Sequence, residues 1–385
     1  MSATELPTPL TDLSQGASPL DYGSQDLSRI RTALDGSLFL FCRFIFNYQD
    51  LSPTLHGALC QYIEEWGHND DFKRIMTQIP REFFKTSVGT RANALWQITK
   101  EPSKPVAIFN ERDTNAKKWL KSIRDVVQSN LLFQQVYRDL LPPGIAKEDS
   151  RSTPRWWKWS DEQLDFEGRD IGEPEASISA HGIEAATTGG HWPKLILDDL
   201  ISVKHKQSEP EMERAREWVR NHVYLMRPAE LGLAYVNCTP WTFHDIYRMM
   251  LSDFEYKLYR RHALEMSDGT PSLAGDSIFP TKLTTTKLRS MYHRDPFTFN
   301  CLPASSRITL TDWTHKRIDE VQIGDSVVGF APGKNVQKHL LQPTVVTGIA
   351  STTAPVYRYI LEDGKSVCCT EDHKWYRKHN AGTGG

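Results

Sequence analysis

The chain has 385 residues, so it is long enough for two domains, and its apolar residues and eleven tryptophans suffice for a buried core. The formal net charge of −2 excludes binding of nucleic acid through overall basicity and leaves local patches for such contacts. The six cysteines show no C-x-x-C spacing, which indicates free thiols in a reducing compartment. No apolar run reaches the ~18–20 residues of a membrane span, so we expect no membrane partner.

The first part of the chain changes character near residue 29. Residues 1–28 are rich in Ser, Thr, Pro and Asp and lack the features of a signal peptide, so they predict a disordered arm. Residues 38–66 have helical apolar patterning. Ser52 and Pro53 are typical of a helix start, because serine caps the first turn and proline suits the first helical position. We expect packing helices ahead of a sheet.

A short apolar strand that ends at Pro80 is followed by a tight turn and a predicted helix. At such a helix start backbone N–H groups hold phosphates, Lys85 reaches the β and γ oxygens, and Thr86 is a candidate Mg²⁺ ligand. The candidate nucleotide-binding residues are Pro80, Arg81, Lys85, Thr86 and Ser87. The pattern G-x-x-x-x-G-K-[ST] is not met, because Ile79 and Phe84 stand at its glycine positions. Taken alone, this pattern favours a surface lysine that opens a helix.

A second strand, residues 105–109, precedes a helix that begins near Thr114, and this order predicts a parallel sheet. The helix carries four basic residues, which are Lys117, Lys118, Lys121 and Arg124. A solvated basic face is the simplest interpretation, with a DNA-facing patch as the alternative. Residues 151–159 hold three tryptophans among basic residues. They predict a packed hairpin, with stacking on bases as the alternative.

An almost entirely apolar strand, residues 192–197, ends in Asp198 and Asp199. Such a strand suits a sheet that is covered on both faces, and ligands bind at the carboxyl ends of its strands. Asp198 is therefore a candidate Mg²⁺ ligand, and Asp199 is the candidate group that polarises the attacking water. A helix cap after a buried strand is the alternative, but Lys85 upstream favours the nucleotide site.

A third strand, residues 233–239, ends in Thr239. A hydroxyl group at the end of a strand near the γ-phosphate would sense hydrolysis and couple it to motion. The alternative is an ordinary connection between a strand and a helix.

In this order and spacing, residues 29–300 resemble the ATPase domain of the terminase large subunit of tailed bacteriophages. That family has a strand followed by Pro-Arg-x-x-x-Lys-[Ser/Thr], as in residues 80–86, and an apolar strand that ends in two acids, as in residues 195–199. Residues 238–247 are similar to its Thr-containing turn and the segment after it. Phe279-Pro280 and residues 295–300 are similar to its later motifs.

The resemblance implies an α/β P-loop fold of the RecA-like type, with a mostly parallel sheet and additional strands. It implies ATP and Mg²⁺ as cofactors, and a role for Arg81 in stabilising transition-state charge. It also implies double-stranded DNA, the capsid portal and the small terminase subunit as partners. A homo-oligomeric ring in the host cytoplasm, transiently at the procapsid portal, would act on the DNA. The nuclease domain of the family would follow near residue 300, but a different composition follows.

Residues 301–385 are rich in predicted strands, and they resemble the N-terminal part of an intein, which has an all-β Hint fold. The motifs that carry this resemblance are residues 301–308, 317–328 and 364–373. The resemblance implies that the Cys301 thiol attacks the carbonyl of Asn300, so that the Asn300–Cys301 peptide becomes a thioester. Thr370 would hydrogen-bond the scissile peptide, and His373 would protonate the departing nitrogen.

Residues 380–385 do not carry the C-terminal motifs of an intein. We expect one half of a split intein, which a second chain with the intein C-half and the nuclease completes in trans; a truncated gene is the alternative. Three hypotheses for the function remain. The first is an active packaging ATPase that carries a splicing module. The second is a precursor whose ATPase is dormant until splicing adds the nuclease. The third is a helicase-like ATPase with a β-rich binding tail.

Overall fold

The structure, a computed structural model, divides the chain into two compact units, residues 1–282 and 283–385. It describes residues 8–14, 18–19, 22–145, 152, 156–170, 172–183, 190–202, 204–205, 208–227, 232–239, 245–272, 274–294, 307–330, 341–346, 357–360 and 366–369. The first unit ends at Lys282, before the boundary after Asn300 that the sequence predicts. A splice junction is a chemical boundary and need not coincide with a change in packing.

The N-terminal segment contains two helices, α1 (Thr8–Ser14) and α2 (Ser24–Asp35), which pack on each other. The prediction of a disordered arm over residues 1–28 therefore does not hold for residues 8–14 and 24–28. Leu10 is completely buried, as are Ile30 and Leu34 of α2. Although this segment is mostly polar, it has a few apolar side chains at helical spacing. Their packing against the rest of the unit stabilises the helices.

The first unit is built on a seven-stranded sheet, as predicted for an α/β fold. Its strands are β1 (Arg74–Gln78), β2 (Val106–Asn110), β3 (Gln163–Leu164), β4 (Ile178–Gly182), β5 (Lys194–Asp198), β6 (Leu233–Cys238) and β7 (Lys257–Arg260). Their order across the sheet is β3-β4-β2-β5-β6-β1-β7, and all neighbours are parallel except β3 and β4. Strands β2 and β5 are buried along their whole length, which explains the run of apolar residues within each of them.

Helices lie before and between these strands. They are α3 (Leu38–Phe44), α4 (Leu55–Glu64), α5 (Asn93–Lys100), α6 (Asp113–Ser129), α7 (Leu131–Val136), α8 (Glu209–Asn221) and α9 (Ile246–Asp253). Helix α4 begins just after the predicted start, where the Ser52 hydroxyl accepts a hydrogen bond from the Leu55 N–H at 3.3 Å. None of the described helices is both long and apolar enough to cross a membrane.

A π-helical segment, Ser87–Ala92, runs directly into α5 and packs closely on the sheet. A Cβ atom on Gly89 would lie 2.0 Å from the Tyr235 Oη, so only glycine allows this approach to β6. Below the sheet, side chains of β5 and β6 share one core with α8 and α9. That core and the close approach at Gly89 fix the helical segment and the strand ends relative to one another.

The first unit also has a small antiparallel pair, β8 (Leu264–Glu265) with β9 (Asp276–Ser277). The second unit opens with α10 (Thr285–Arg294) and continues as antiparallel hairpins. Their strands are β10 (Arg307–Thr309) with β11 (His315–Arg317), β12 (Ser326–Phe330) with β13 (Leu341–Val345), and β14 (Tyr357–Ile360) with β15 (Ser366–Cys369). Beyond residue 306, the described residues outside these strands form turns, extended segments and one 3₁₀ turn, Ile318–Glu320.

Candidate nucleotide site

Four of the predicted site residues meet at one edge of the seven-stranded sheet. Lys85 and Thr86 follow β1, and Asp198 and Asp199 stand at the end of β5. Strand β6, which lies between β1 and β5, ends just before Thr239. Because the three strands are parallel, their carboxyl ends share this edge, which is where open α/β sheets bind ligands.

Lys85 is buried, and its Nζ lies 2.6 Å from the Asp199 Oδ1. The loop that leads to Lys85 turns through two left-handed residues, Glu82 (φ +68°) and Phe84 (φ +56°). Phe84 stands at the second glycine position of the P-loop pattern, and it adopts the backbone conformation that glycine favours. Such a conformation costs about 1–2 kcal/mol in any other residue, so the surrounding contacts must hold the loop.

Asp198 is completely enclosed, and three side chains donate hydrogen bonds to its Oδ1. The Thr86 Oγ1 lies at 3.1 Å, the Thr90 Oγ1 at 2.9 Å and the Asn237 Nδ2 at 2.6 Å. Burial, together with the nearby Asp199 carboxylate, raises the pKa of Asp198 to about 6, while Lys85 and the hydrogen bonds oppose this shift. The carboxyl group therefore holds its proton to a higher pH than an ordinary aspartate does.

Asp199 connects Lys85 to Thr239. It has a left-handed backbone (φ +42°), and its side chain is 37% exposed. The Asp199 N–H donates to the Asn237 carbonyl at 2.9 Å, and the Asp199 Oδ1 accepts from the Thr239 N–H at 3.1 Å. The Thr239 Oγ1 is buried without a hydrogen-bond partner among the described residues. One carboxylate oxygen thus bonds both the buried ammonium and the end of β6.

The sequence reasoning missed Thr90, Asn110 and Asn237. The Asn110 Nδ2 donates to the Asp198 carbonyl at 2.7 Å and so ties the end of β2 to the end of β5. A usable signal existed, since Asn110 and Asn237 stand at the ends of apolar strands and Thr90 lies one helical turn after Thr86. Polar residues at these positions point toward the same edge of the sheet as the two acids.

The remaining predicted residues of the loop are more peripheral. Arg81 is exposed, and Pro80 and Ser87 are partly exposed on either side of Lys85. The hydrogen bonds to the carboxylates of Asp198 and Asp199 described above come from other residues. Among the described residues, no group of three or more His, Cys, Asp or Glu side chains could hold a metal.

Three of the four basic residues of α6 form ion pairs. Lys117 lies 2.6 Å from Asp113 and 2.7 Å from Glu162, and Arg124 lies 2.7 Å from Asp161. Lys121 pairs with an acid of its own helix. These contacts favour the interpretation as a solvated face over the DNA-facing patch.

The tryptophan segment is only partly packed. The Trp159 ring packs against Phe166 with ring centroids 5.6 Å apart, in agreement with the predicted hairpin. Trp156 stacks on Trp157 but is 71% exposed. The predicted hairpin packing therefore holds for Trp159 and not for Trp156.

The predicted splicing residues Asn300, Cys301, Thr370 and His373 lie outside the described residues. The nearest described element is β15, which ends directly before Thr370. In the first unit, Cys42, Cys60 and Cys238 are buried free thiols, as expected.

Comparison with known proteins adds no family to these observations. No protein-family model matches the chain, and no curated protein matches it either.

Proposed function

We propose that the first unit hydrolyses ATP with Mg²⁺ as a motor of the terminase large-subunit type. The observation that carries this proposal is the meeting of Lys85 with Asp199, and of Thr86 with Asp198, at the carboxyl edge of a parallel sheet. A lysine and a hydroxyl group at a helix start, opposite two acids, suit a nucleoside triphosphate and its metal. An additional strand, β6, lies between β1 and β5, which fits the RecA-like fold that the resemblance implies.

Each side chain has a distinct task in this proposal. Lys85 binds the β and γ phosphate oxygens, and the first N–H groups of the helix that starts at Lys85 face the same charges. Thr86 and Asp198 fit Mg²⁺ because they offer two hard oxygen donors within 3.1 Å of each other. When bound, Mg²⁺ would neutralise charge on the phosphate oxygens. Asp199 accepts a hydrogen bond from the attacking water and orients it. Arg81, at the exposed start of the loop, supplies further positive charge.

The coupling proposed for Thr239 follows from the shared oxygen of Asp199. When phosphate takes over the Lys85 ammonium, the Asp199 carboxylate loses its counterion at 2.6 Å and becomes available to water. The same oxygen bonds the Thr239 N–H, so the exchange changes the contacts at the end of β6. Nucleotide binding is thereby linked to a strand end, which is the element that would transmit motion.

The further partners follow from the resemblance. They are double-stranded DNA, the portal, the small terminase subunit and other copies of this chain in a ring. The motor would act in the host cytoplasm and transiently at the procapsid portal.

ATP turnover by the intact chain tests the motor. We expect Lys85→Ala to remove turnover, while Lys121→Ala, a matched change at an exposed lysine, retains it. Equal turnover in wild type and Lys85→Ala would contradict the assigned site. Nucleotide binding without turnover would favour the dormant precursor over the active motor.

We also propose that residues 301–385 act as an N-terminal intein segment with a complementary C-half, joined to a nuclease, as the partner chain. The antiparallel hairpins of the second unit support an all-β module. The Cys301 thiol would attack the Asn300 carbonyl carbon and form a thioester, while the bond from that carbon to the Cys301 nitrogen breaks. The nitrogen would leave protonated by His373, and Thr370 would polarise the scissile peptide.

Incubation with a strong thiol, followed by mass measurement, tests this splicing chemistry. We expect a fragment that ends at Asn300 from wild type and none from Cys301→Ala. If the wild-type chain yields no such fragment, the alternative of a β-rich binding tail on a helicase-like ATPase is favoured.

A further inference from the structure

His56, in the first turn of α4, is completely buried against the loop that precedes Lys85. The Ser52 N–H lies 2.8 Å from its Nδ1, and the Phe83 carbonyl lies 3.3 Å from its Nε2. The imidazole thus bridges the start of α4 and the backbone two residues before Lys85.

The partners of His56 determine its protonation. A backbone N–H can only donate, so Nδ1 must accept from Ser52, and the ring proton stands on Nε2 and donates to the Phe83 carbonyl. Burial lowers the pKa of His56 to about 4, so the ring is neutral near pH 7. A single neutral tautomer satisfies both contacts.

Aromatic rings surround the same loop. The His56 ring meets Phe279 edge-on at 4.9 Å between centroids and Phe84 at 5.7 Å. Phe279, which is buried, also packs on Phe83 at 5.7 Å. The loop contains left-handed Phe84 where the P-loop pattern has glycine, so these contacts oppose its relaxation to an ordinary backbone conformation.

We propose that His56 is a positioning residue of the nucleotide site, whose Nε2–H fixes the Phe83 carbonyl and thereby the place of Lys85 and the helix start. This role rests on the proposed ATPase function. In a P-loop the glycines let the backbone adopt the turn unaided; here a hydrogen bond and packed rings from outside the loop hold it. Loss of the bond displaces Lys85 from the phosphates and weakens binding more than it slows chemistry.

Two substitutions of His56 separate its hydrogen bonds. In His56→Gln the amide nitrogen stands near the Nε2 position and keeps the bond to Phe83, whereas in His56→Asn the shorter amide keeps only the acceptor for Ser52. We expect His56→Asn to raise the KM for ATP about tenfold with kcat little changed, and His56→Gln to stay within about threefold of wild type.

His222 offers a matched control, since it is also completely buried and bonds the Val219 carbonyl and the Tyr256 hydroxyl in the core under α8. His222→Asn and His222→Gln should lower the melting temperature without a selective change in KM. If the His56 variants change KM no more than the His222 variants do, the positioning role is wrong.

Amide hydrogen exchange of residues 83–88, measured without nucleotide, tests whether His56 positions the loop independently of ATPase activity. We expect faster exchange in His56→Asn than in His56→Gln or wild type. Equal exchange in the three proteins overturns the positioning role. If exchange is faster in His56→Asn but the wild-type chain neither binds nor hydrolyses ATP, His56 does position the loop. The assigned nucleotide site is then wrong.

Discussion

The Lys85 Nζ and the Asp199 Oδ1 form a 2.6 Å ion pair in which the ammonium is buried and the carboxylate is partly exposed. The lysine proposed to bind phosphate therefore already has an anionic partner inside the protein. Any phosphate that binds Lys85 competes with Asp199. A neutral residue at position 199 should therefore raise the affinity for nucleotide.

Asp199→Asn separates binding from catalysis. We expect turnover to fall at least 100-fold, because the amide cannot accept a proton or orient water as the carboxylate does. Nucleotide affinity should rise about two- to tenfold, because one repulsive charge next to the phosphates disappears. Titration with a non-hydrolysable analogue and a turnover assay measure the two effects. Asp125→Asn, at an exposed acid of α6, serves as the control. Weaker binding in Asp199→Asn would contradict the competition.

Asn237→Ala should impair both stability and the use of Mg²⁺. The variant removes a buried 2.6 Å hydrogen bond to Asp198, so the free energy of unfolding should fall by about 1–3 kcal/mol. Loss of a donor to the ionised carboxyl also favours its protonated form, so half-maximal turnover should need more Mg²⁺ at pH 7. Urea unfolding and a Mg²⁺ titration of turnover provide the measurements. An unchanged Mg²⁺ requirement would remove Asp198 from the metal site.

Gly89→Ala tests the close approach of the helical segment to β6. The added methyl group would meet the Tyr235 Oη at 2.0 Å and its Cζ at 2.8 Å, so we expect a loss of about 1–3 kcal/mol in the free energy of unfolding. Tyr235→Phe removes the nearest atom but also the hydroxyl contact with Thr77 at 2.8 Å. The double variant should therefore recover only part of the loss, and a double-mutant cycle measures how much. Additive effects would show that the two residues do not meet.

Stability should decrease in mild acid because of buried histidines. Burial lowers the pKa of His222 to about 4, against about 6.5 in an unfolded chain. Between these values the unfolded state binds a proton that the folded state rejects, so stability falls as the pH falls through this window, by about 1.4 kcal/mol per pH unit for one histidine. Denaturant midpoints at pH 4.5 to 7 should show a smaller slope in His222→Gln than in wild type. An identical slope would mean that the pKa of His222 is the same in the folded and unfolded states.

The sequence was sufficient to predict the scaffold of the site. Apolar strands followed by Lys85 and by Asp198 and Asp199 imply that these residues share the carboxyl edge of a parallel sheet, since that geometry is repetitive. The donors Thr90 and Asn237 were missed because their positions show only that they lie near the two acids. Nothing in the local sequence shows that their side chains bond a buried carboxylate.

Other outcomes depend on contacts between distant parts of the chain. Asp161 and Glu162, which form ion pairs with Arg124 and Lys117 of α6, are far from that helix in sequence. The left-handed Phe84 packs against the ring of His56 from α4 and against Phe279, and no local sequence pattern predicts these contacts. Leu10 is buried by packing that composition cannot indicate. In each case the deciding interaction is tertiary, and the local sequence is compatible with the alternative.

Phe279 links the loop before Lys85 to the end of the first unit. It packs against Phe83 and Phe84 of the loop and precedes Lys282, the last residue of the first unit, by only three positions. The loop before Lys85 thus draws part of its support from a residue close to the end of its own unit. A change near the end of the first unit that displaces the Phe279 ring is therefore expected to loosen a loop that lies far from it in sequence.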